Sequence, residues 1–144
     1  MKIVAKTDQG KIRKDNQDSF AAGELPGGVV WAVVCDGMGG AAGGSVASQT
    51  AVKMISEKIA SGYQYGMSDK SIKNLLTSVV ESANSSIYEM SCSVESLNGM
   101  GTTVVVSVIR DKELYLVHAG DSRAYRVTKD SITQLTRNHS VVQD

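Results

Sequence analysis

The sequence predicts an α+β fold in a single domain, and three features of its hydrophobic pattern support that prediction. An apolar run bounded by glycines lies near the amino terminus, two helical apolar stripes follow one another, and the spacing of apolar residues then changes from about 3.6 to about 2. Strands and helices therefore come in separate runs, which favours antiparallel sheets. With 144 residues, the chain is long enough for one domain with a substantial core.

Strands are expected where short apolar or β-branched runs end at turn residues. Residues 29–35 are the strongest case, because they are continuously apolar and flanked by glycine, which indicates burial on both faces of a sheet. Residues 26–28 supply the turn before them, and reversals at 111–112 and 129–130 indicate an antiparallel meander. The other predicted strands span residues 2–7, 18–22, 102–109, 114–119, 124–128 and 132–135.

Two amphipathic helices are expected between the two groups of strands. The first is predicted to end near Gly62, and the second to be capped by Ser68, whose hydroxyl can accept a hydrogen bond from a free backbone N–H. Apolar residues recur at helical spacing in both, at Ala47, Ala51, Met54, Ile55 and Ile59 in the first, and at Ile72, Leu75, Leu76, Val79, Val80, Ala83, Ile87 and Met90 in the second.

Composition and charge exclude several classes of function. Lysine plus arginine equals aspartate plus glutamate at 15 each, so no positive field favours nucleic acid or an anionic membrane. The longest apolar run, residues 29–35, is far shorter than the ~20 residues that span a bilayer. The amino terminus lacks the apolar segment of a secretory signal. Cys35 and Cys92 lack metal-ligand spacing, so they are expected to be reduced thiols in a cytoplasmic protein.

The stretch WAVVCDGMGGAAGGS, residues 31–45, is open to two interpretations, a dinucleotide-binding loop and a metal site. Residues 37–42 satisfy the glycine pattern of a dinucleotide loop between a strand and a helix. Such a unit requires the helix to lead into a second parallel strand with an acidic residue at its end. Here a second helix follows the first, and Glu57 lies inside a helix. The sequence therefore disfavours the dinucleotide loop.

The metal interpretation starts from Asp36, at the end of the apolar run. A carboxylate at a strand end with no basic neighbour is costly unless a cation compensates its charge, although Asp36 could simply cap the glycine turn. Three other residues favour the metal, since each also lies at a strand-to-loop junction and could converge with Asp36 at one sheet edge: Arg13, Asp18 and Asp121. Carboxylates bind hard ions such as Mg²⁺ or Mn²⁺, and arginine offers a bidentate fork for a phosphate.

Five motifs together resemble a known family. RKDNQD, VVCDGMGG, GMGTTVVV, AGDSRAY and LTRNHS resemble, in order and spacing, the motifs of the metal-dependent PPM protein phosphatases, the phosphatase 2C family, in its bacterial form. The resemblance covers essentially the whole chain. It implies an α-β-β-α sandwich of two antiparallel sheets flanked by helices, with a dinuclear Mn²⁺ or Mg²⁺ site at one end. In such enzymes, a metal-bridging water hydrolyses phosphoserine or phosphothreonine.

The resemblance also implies roles for individual residues. Asp36 resembles the carboxylate that bridges the two ions, and Gly37 the residue that gives its backbone carbonyl to one of them. Asp18 resembles the acid that holds metal-bound water, and Asp121 the acid of a third, weaker metal position. Arg13 matches the arginine that binds the substrate phosphate.

Other residues of the motifs have lesser expected roles or depart from the family pattern. Met38 stands where some animal members carry a histidine proposed as general acid. A thioether cannot transfer a proton, so water is expected to protonate the leaving group. Asn138 stands where the pattern has an aspartate. Structural roles are expected for His118, His139 and residues 101–103.

The largest departure from the family is length. The resemblance implies that residues 1–144 are the amino-terminal part of a single PPM domain, without the flap segment, the last strands and two later metal aspartates. We therefore expect weak metal binding, little or no turnover, and self-association through exposed sheet edges. The expected partners are proteins phosphorylated on serine or threonine and a cognate serine/threonine kinase system. The alternative is a non-catalytic short form that acts as a protein-interaction module.

Overall fold

A computed structural model of the chain describes residues 1–40 and 42–139. Ala41 of the glycine stretch and Ser140 of the LTRNHS motif therefore lie outside the described residues. No helix in the described part of the chain is both long and apolar enough to cross a membrane. The elements are β1 (Asp18–Leu25), β2 (Val29–Met38), α1 (Gly43–Gly62), α2 (Asp69–Ser93), a 3-10 turn (Glu95–Leu97), β3 (Gly101–Thr102), β4 (Val104–Arg110), β5 (Glu113–Ala119), β6 (Tyr125–Val127) and β7 (Ile132–Gln134).

The larger of the two antiparallel sheets has the strand order β1-β2-β4-β5, with β3 paired to the end of β2. The α+β class with antiparallel sheets is thus confirmed, and the strands predicted at 18–22 and 29–35 are present and longer than expected. The meander is only partly as predicted. Strands β4 and β5 are neighbours, whereas β6 and β7 form a separate two-stranded sheet. The left-handed Gly120 (φ 99°) follows β5 directly, where the chain leaves the larger sheet.

The strand predicted at residues 2–7 was wrong. In the structure this segment has no regular backbone pairing, and residues 1–4 line a shallow pocket together with Val30, Ala32 and Ser107 of the sheet. Ile3 and Val4 are 41% and 80% exposed, so the apolar residues of this segment do not join the core. A strand also needs a neighbouring backbone with which to exchange hydrogen bonds. No such neighbour lies beside these residues in the described ranges.

Both helices are confirmed, and they pack on one face of the sheet. Ser68 caps α2 as predicted, since its side chain accepts a hydrogen bond from the Ser71 N–H at 3.1 Å. The apolar stripes of the helices meet the inward side chains of β2 and β4 in one core, whose fully buried members include Ile55, Ile59, Ile72, Leu76, Val33 and Val106. Burying each of these side chains contributes about 1.5–3 kcal/mol relative to exposure.

Burial of β2 on both faces, which the continuous apolar run predicted, holds only at the start of the strand, where Val29, Val30 and Trp31 are all buried. Val33 and Cys35 face the helices and are fully buried, but Val34 between them is 49% exposed. Phe20 on β1 and Leu114 on β5 are also exposed. Side chains alternate across a strand, so the helices cover only one face. We call the other face, which carries Val34, the open face of the sheet.

A polar cluster joins α2 to the sheet at the end remote from Asp36. Arg110 donates to the Asp69 carboxylate at 2.7 Å and to the Met67 carbonyl, just before α2. The Tyr115 hydroxyl donates to Asp69 and lies 3.0 Å from a Glu113 carboxylate oxygen, and the hydrogen bond to Asp69 is the main cause that raises the pKa of Tyr115 to about 12. The cluster fixes the start of α2 on the β4–β5 hairpin.

The glycines after Asp36 let the end of β2 approach the start of α1. A Cβ on Gly37 would lie 1.9 Å from the Gly44 carbonyl oxygen, a backbone atom that cannot move aside alone. Gly39 has φ 145°, a left-handed conformation in which other residues are strained. By contrast, a Cβ on Gly40 would meet no described atom within 4 Å. Close packing therefore requires glycine at only some positions of the run.

Two substitutions in this run test the packing argument. Gly37→Ala is expected to lower the free energy of unfolding by about 1–3 kcal/mol, because the new methyl group forces β2 away from α1. Gly40→Ala, the matched control, is expected to change it by less than about 0.5 kcal/mol. Urea denaturation of both variants measures the difference. Equal destabilisation by the two changes would contradict this role of the glycines.

Candidate metal centre

Asp18 and Asp36 lie directly opposite each other on the antiparallel strands β1 and β2. The neighbouring residues Ser19 and Cys35 point to the helix side of the sheet, so both carboxylates are on the open face. Opposite residues on such strands have Cβ atoms about 4.5–5.5 Å apart, and like charges there repel. The structure thus brings together two of the acidic residues that the sequence singled out.

The surroundings of Asp36 disfavour its charge. Its carboxyl group is partly desolvated although the residue is exposed on one side, and this desolvation is the main cause that raises the pKa of Asp36. A hydrogen bond with Asp18 and the charges of Asp18 and Asp121 raise the pKa further, while the charge of Arg13 lowers it. Without a cation, the neutral form of Asp36 is thus favoured relative to that of an isolated aspartate.

Asp121 and Arg13 reach the same end of the sheet from two loops. Asp121 follows Gly120 directly after β5, and Arg13 lies in the segment before β1. Both are exposed, and both lie close enough to change the pKa of Asp36. The Gln9 side chain donates to the Arg13 carbonyl at 2.8 Å, which holds this part of the loop. The charges of the other three predicted residues therefore all act on Asp36.

Gly37, the residue expected to offer a carbonyl, is buried beside the two carboxylates. Its N–H donates to the Gln17 carbonyl at 3.0 Å, next to Asp18. The Gln17 side chain in turn donates to the Gly39 carbonyl at 3.4 Å. Gln17 thereby ties the start of β1 to the end of β2. Sequence reasoning missed this residue, although it lies inside the RKDNQD motif.

Thr103 interrupts the strand that was predicted at 102–109, and it does so opposite Asp36. The pairs Val34–Val105 and Gly37–Thr102 share one register, which places Thr103 opposite Asp36. Thr103 donates its N–H to the Asp36 carbonyl at 2.9 Å, and its hydroxyl accepts the Asp36 N–H at 2.9 Å. The expected structural role of residues 101–103 is thus seen in these contacts.

His118 and His139 stack beside the Gly120 turn, with ring centroids 4.9 Å apart. His118 Nε2 accepts the Arg137 N–H at 3.4 Å, and the His139 N–H donates to the Gly120 carbonyl at 2.9 Å. Desolvation, with a smaller contribution from His139, lowers the pKa of His118. Its Nδ1 is buried without a hydrogen-bond partner among the described residues. These contacts fit the structural roles expected of both histidines.

The donor set suits a hard divalent cation only in part. Oxygen donors from Asp18, Asp36 and the Gly37 backbone are the kind that Mg²⁺ and Mn²⁺ prefer. A cation between the carboxylates would also remove the repulsion that raises the Asp36 pKa. Within residues 1–40 and 42–139, however, no three His, Cys, Asp or Glu side chains are grouped closely enough to hold a metal ion. Asp121 thus contributes charge without completing a three-residue cluster.

The raised Asp36 pKa predicts the effect of Asp36→Asn on stability without metal. A carboxyl group whose pKa is raised by folding destabilises the folded state at pH values above that pKa. This destabilisation disappears as the pH falls below the pKa that the group has in the unfolded chain. In EDTA, Asp36→Asn is therefore expected to raise the urea midpoint at neutral pH, with a gain that shrinks to zero in acid. Asp130→Asn, in the exposed β6–β7 turn, is the control. A lower urea midpoint for Asp36→Asn than for the wild type at neutral pH would contradict the electrostatic argument.

Comparison with known proteins gives a consistent picture. The family described as "Protein phosphatase 2C" matches residues 11–141. The chain is 33% identical over 139 residues to the serine/threonine phosphatase stp of Listeria innocua, which covers 96% of this chain and 55% of that protein. It is 32% identical over 143 residues to the serine/threonine protein phosphatase PstP of Mycobacterium tuberculosis, covering 99% of this chain and 26% of the relative. The chain thus spans about half the length of stp.

Solved structures show the same fold. The M. tuberculosis phosphatase PstP/Ppp superposes with a TM-score of 0.81 and 32% identity, covering 95% of this chain and 54% of that one. The catalytic domain of PstP in complex with two manganese ions superposes with a TM-score of 0.80 and covers 95% of this chain and 55% of that one. Because the family match extends over most of the sequence and the fold agrees, this chain belongs to the protein phosphatase 2C family.

Proposed function

We propose that this chain is the amino-terminal portion of a PPM domain that hydrolyses phosphoserine and phosphothreonine in proteins with the help of Mn²⁺ or Mg²⁺. The main support is the in-register pair Asp18 and Asp36, whose mutual repulsion a divalent cation would relieve. The names of the relatives, serine/threonine phosphatases, support the substrate class. The two manganese ions in the PstP complex support a dinuclear site in the complete domain.

In this proposal, Asp36 would be the carboxylate that holds the ions, Gly37 would offer its carbonyl, and Asp18 would hold metal-bound water. Asp121 serves a third, weaker position. When bound, such ions lower the pKa of water and neutralise phosphate charge. The protein's own contribution is to hold the Asp18 and Asp36 carboxylates in place on paired strands. Little reorganisation of the site is then needed when negative charge develops on the phosphate in the transition state. The ordered β1–β2 pairing supports this role.

Arg13 is proposed to bind the substrate phosphate. Its guanidinium is always charged and presents a planar fork that matches two phosphate oxygens. It lies in an exposed loop and acts on Asp36 through its charge, so a phosphate bound there would lie next to the carboxylate pair. Met38, at the end of β2, is 54% exposed and cannot donate a proton. Water is therefore proposed to protonate the leaving serine or threonine oxygen.

The cellular setting is proposed from the family and the balanced charge of the chain. The partners are phosphoproteins in the cytoplasm and the kinase system that phosphorylates them. Self-association is proposed through exposed sheet edges, where Phe20 on the edge strand β1 and Leu114 on the edge strand β5 are 40% and 44% exposed.

A non-catalytic interaction module is the second candidate, and one observation favours it. The described residues hold only a carboxylate pair where a firm metal site needs more ligands. With so few protein oxygens, we expect the 144-residue chain to bind Mn²⁺ with a dissociation constant on the order of 10⁻⁴ M or weaker. Turnover by this chain alone is accordingly expected to be low.

Phosphate release from a phosphothreonine peptide tests the proposal. Any release by the purified chain is expected to require Mn²⁺ and to disappear in Asp36→Asn, because that variant loses the charge that holds the cation. Arg13→Ala is expected to lower kcat/KM roughly 10- to 100-fold, since a hydrogen bond between charged groups is lost. It should leave Mn²⁺ binding intact.

Lys14→Ala is the matched control, because it removes a cation from the same exposed loop. It is expected to lower kcat/KM much less than Arg13→Ala. Hydrolysis that persists in EDTA or in the Asp36→Asn variant would contradict the proposed function. Mn²⁺ binding that depends on Asp36 without any hydrolysis would favour the interaction module.

A further inference from the structure

We infer that Thr103 is a positioning residue that sets the place of Asp36 relative to Asp121. The inference rests on the proposed function, in which both aspartates are metal ligands. Thr103 itself contacts no substrate or ion in this scheme. It is 3% exposed and lies between β3 and β4, beside the strand that carries Asp36 and the loop that carries Asp121.

Towards β2, Thr103 forms hydrogen bonds with both the backbone N–H and the backbone carbonyl of Asp36, but not in the pattern of a regular strand pair. In a regular antiparallel pair, the two opposite residues exchange N–H and carbonyl groups. Here the Thr103 N–H donates to the Asp36 carbonyl, but the Asp36 N–H donates to the Thr103 hydroxyl at 2.9 Å. The Thr103 carbonyl accepts the Thr102 hydroxyl at 2.9 Å. The Thr103 hydroxyl thus takes the place of the Thr103 carbonyl as the acceptor of the Asp36 N–H.

On the other side, the same side chain contacts both neighbours of Asp121. The Thr103 and Ser122 hydroxyl oxygens are 2.6 Å apart and share a hydrogen bond. The Thr103 methyl group lies so close to Gly120 that a Cβ on that glycine would be 2.7 Å from it. The φ of Gly120 is 99°, which also favours glycine. Asp121 is therefore held between two residues that both contact Thr103.

These contacts form a continuous chain from the Asp36 N–H through the Thr103 and Ser122 hydroxyls to the Asp121 loop. A hydroxyl oxygen has two acceptor lone pairs and one donor hydrogen, so it can serve both partners at once. The Thr103 hydroxyl thus links the backbone of Asp36 on β2 to the loop that carries Asp121.

Three variants separate positioning from a purely structural role. Thr103→Val keeps the shape but removes the hydroxyl, whereas Thr103→Ser keeps the hydroxyl. Ser122→Ala removes only the second partner and is a milder change should Thr103→Val fold poorly. Val106→Ala is the structural control, because Val106 is fully buried in the same sheet yet makes no contact with Asp36 or Asp121 in the contacts described above.

Two measurements on the full 144-residue chain are needed. Hydrogen exchange by NMR, without metal, reports whether the Asp36 N–H has lost its acceptor. Free Mn²⁺ measured by electron paramagnetic resonance during a titration with Mn²⁺ alone reports affinity. Thr103→Val is expected to speed exchange at Asp36 and to weaken Mn²⁺ binding about 10- to 100-fold, the usual loss when a residue behind a ligand is removed. Thr103→Ser should lose less, and Val106→Ala should lose stability but keep its Mn²⁺ affinity.

The double variant Thr103→Val with Ser122→Ala is expected to bind Mn²⁺ no more weakly than Thr103→Val alone, because both changes break one chain of hydrogen bonds. Wild-type affinity in both Thr103→Val and Ser122→Ala, beside clear binding by the wild type, would overturn this inference and leave the proposed function standing. Equal losses in Thr103→Val and Val106→Ala would also overturn it. If the wild-type chain bound no Mn²⁺, the proposed function would fail, and the role of Thr103 at a metal site with it.

Discussion

The rest of the structure depends on one constraint, the register that sets Asp18 opposite Asp36. This register continues without a break from the Leu25–Val29 pair beside the turn to the two carboxylates at the far end of the strands. A slip by one residue would turn every side chain of β1 to the other face of the sheet, which the apolar core opposes. The fold thus uses apolar burial to hold together two charges that repel each other.

Contacts with helix α1 and with the neighbouring strands hold the end of β2 in this register. Gly37 allows α1 to lie directly against the end of β2, so the strand cannot relax away from its neighbour. Gln17 and Thr103 fix the backbone of the same strand end from the β1 and β3 sides. Natural proteins often accept such local cost where function requires it. Here the cost is the electrostatic repulsion between Asp18 and Asp36, the residues that would bind a cation.

Sequence patterns predicted those parts of the fold that depend on local chemistry. The Ser68 cap, the helical stripes and the strand that carries Asp36 were all found, because each follows from periodicity or from a specific side-chain hydrogen bond. The path of residues 2–7 could not be predicted, since it depends on which backbone lies nearby. The exposure of Val34 depends in the same way on what covers the sheet. At the site, the charged residues were found and residues 101–103 were expected to be structural, but the specific contacts of Thr103 and Gln17 with the β2 backbone leave little signal in one sequence.

The proposed function requires the carboxylate pair at the end of β1 and β2 to bind a divalent cation. Anomalous diffraction from crystals of this chain soaked in Mn²⁺, recorded on both sides of the manganese absorption edge, tests this binding most directly. We expect a manganese peak within bonding distance of the Asp36 carboxylate and beside Asp18, at about 2.0–2.2 Å from its oxygen ligands. The absence of manganese between these two residues at saturating Mn²⁺, or a peak only elsewhere on the chain, would contradict it.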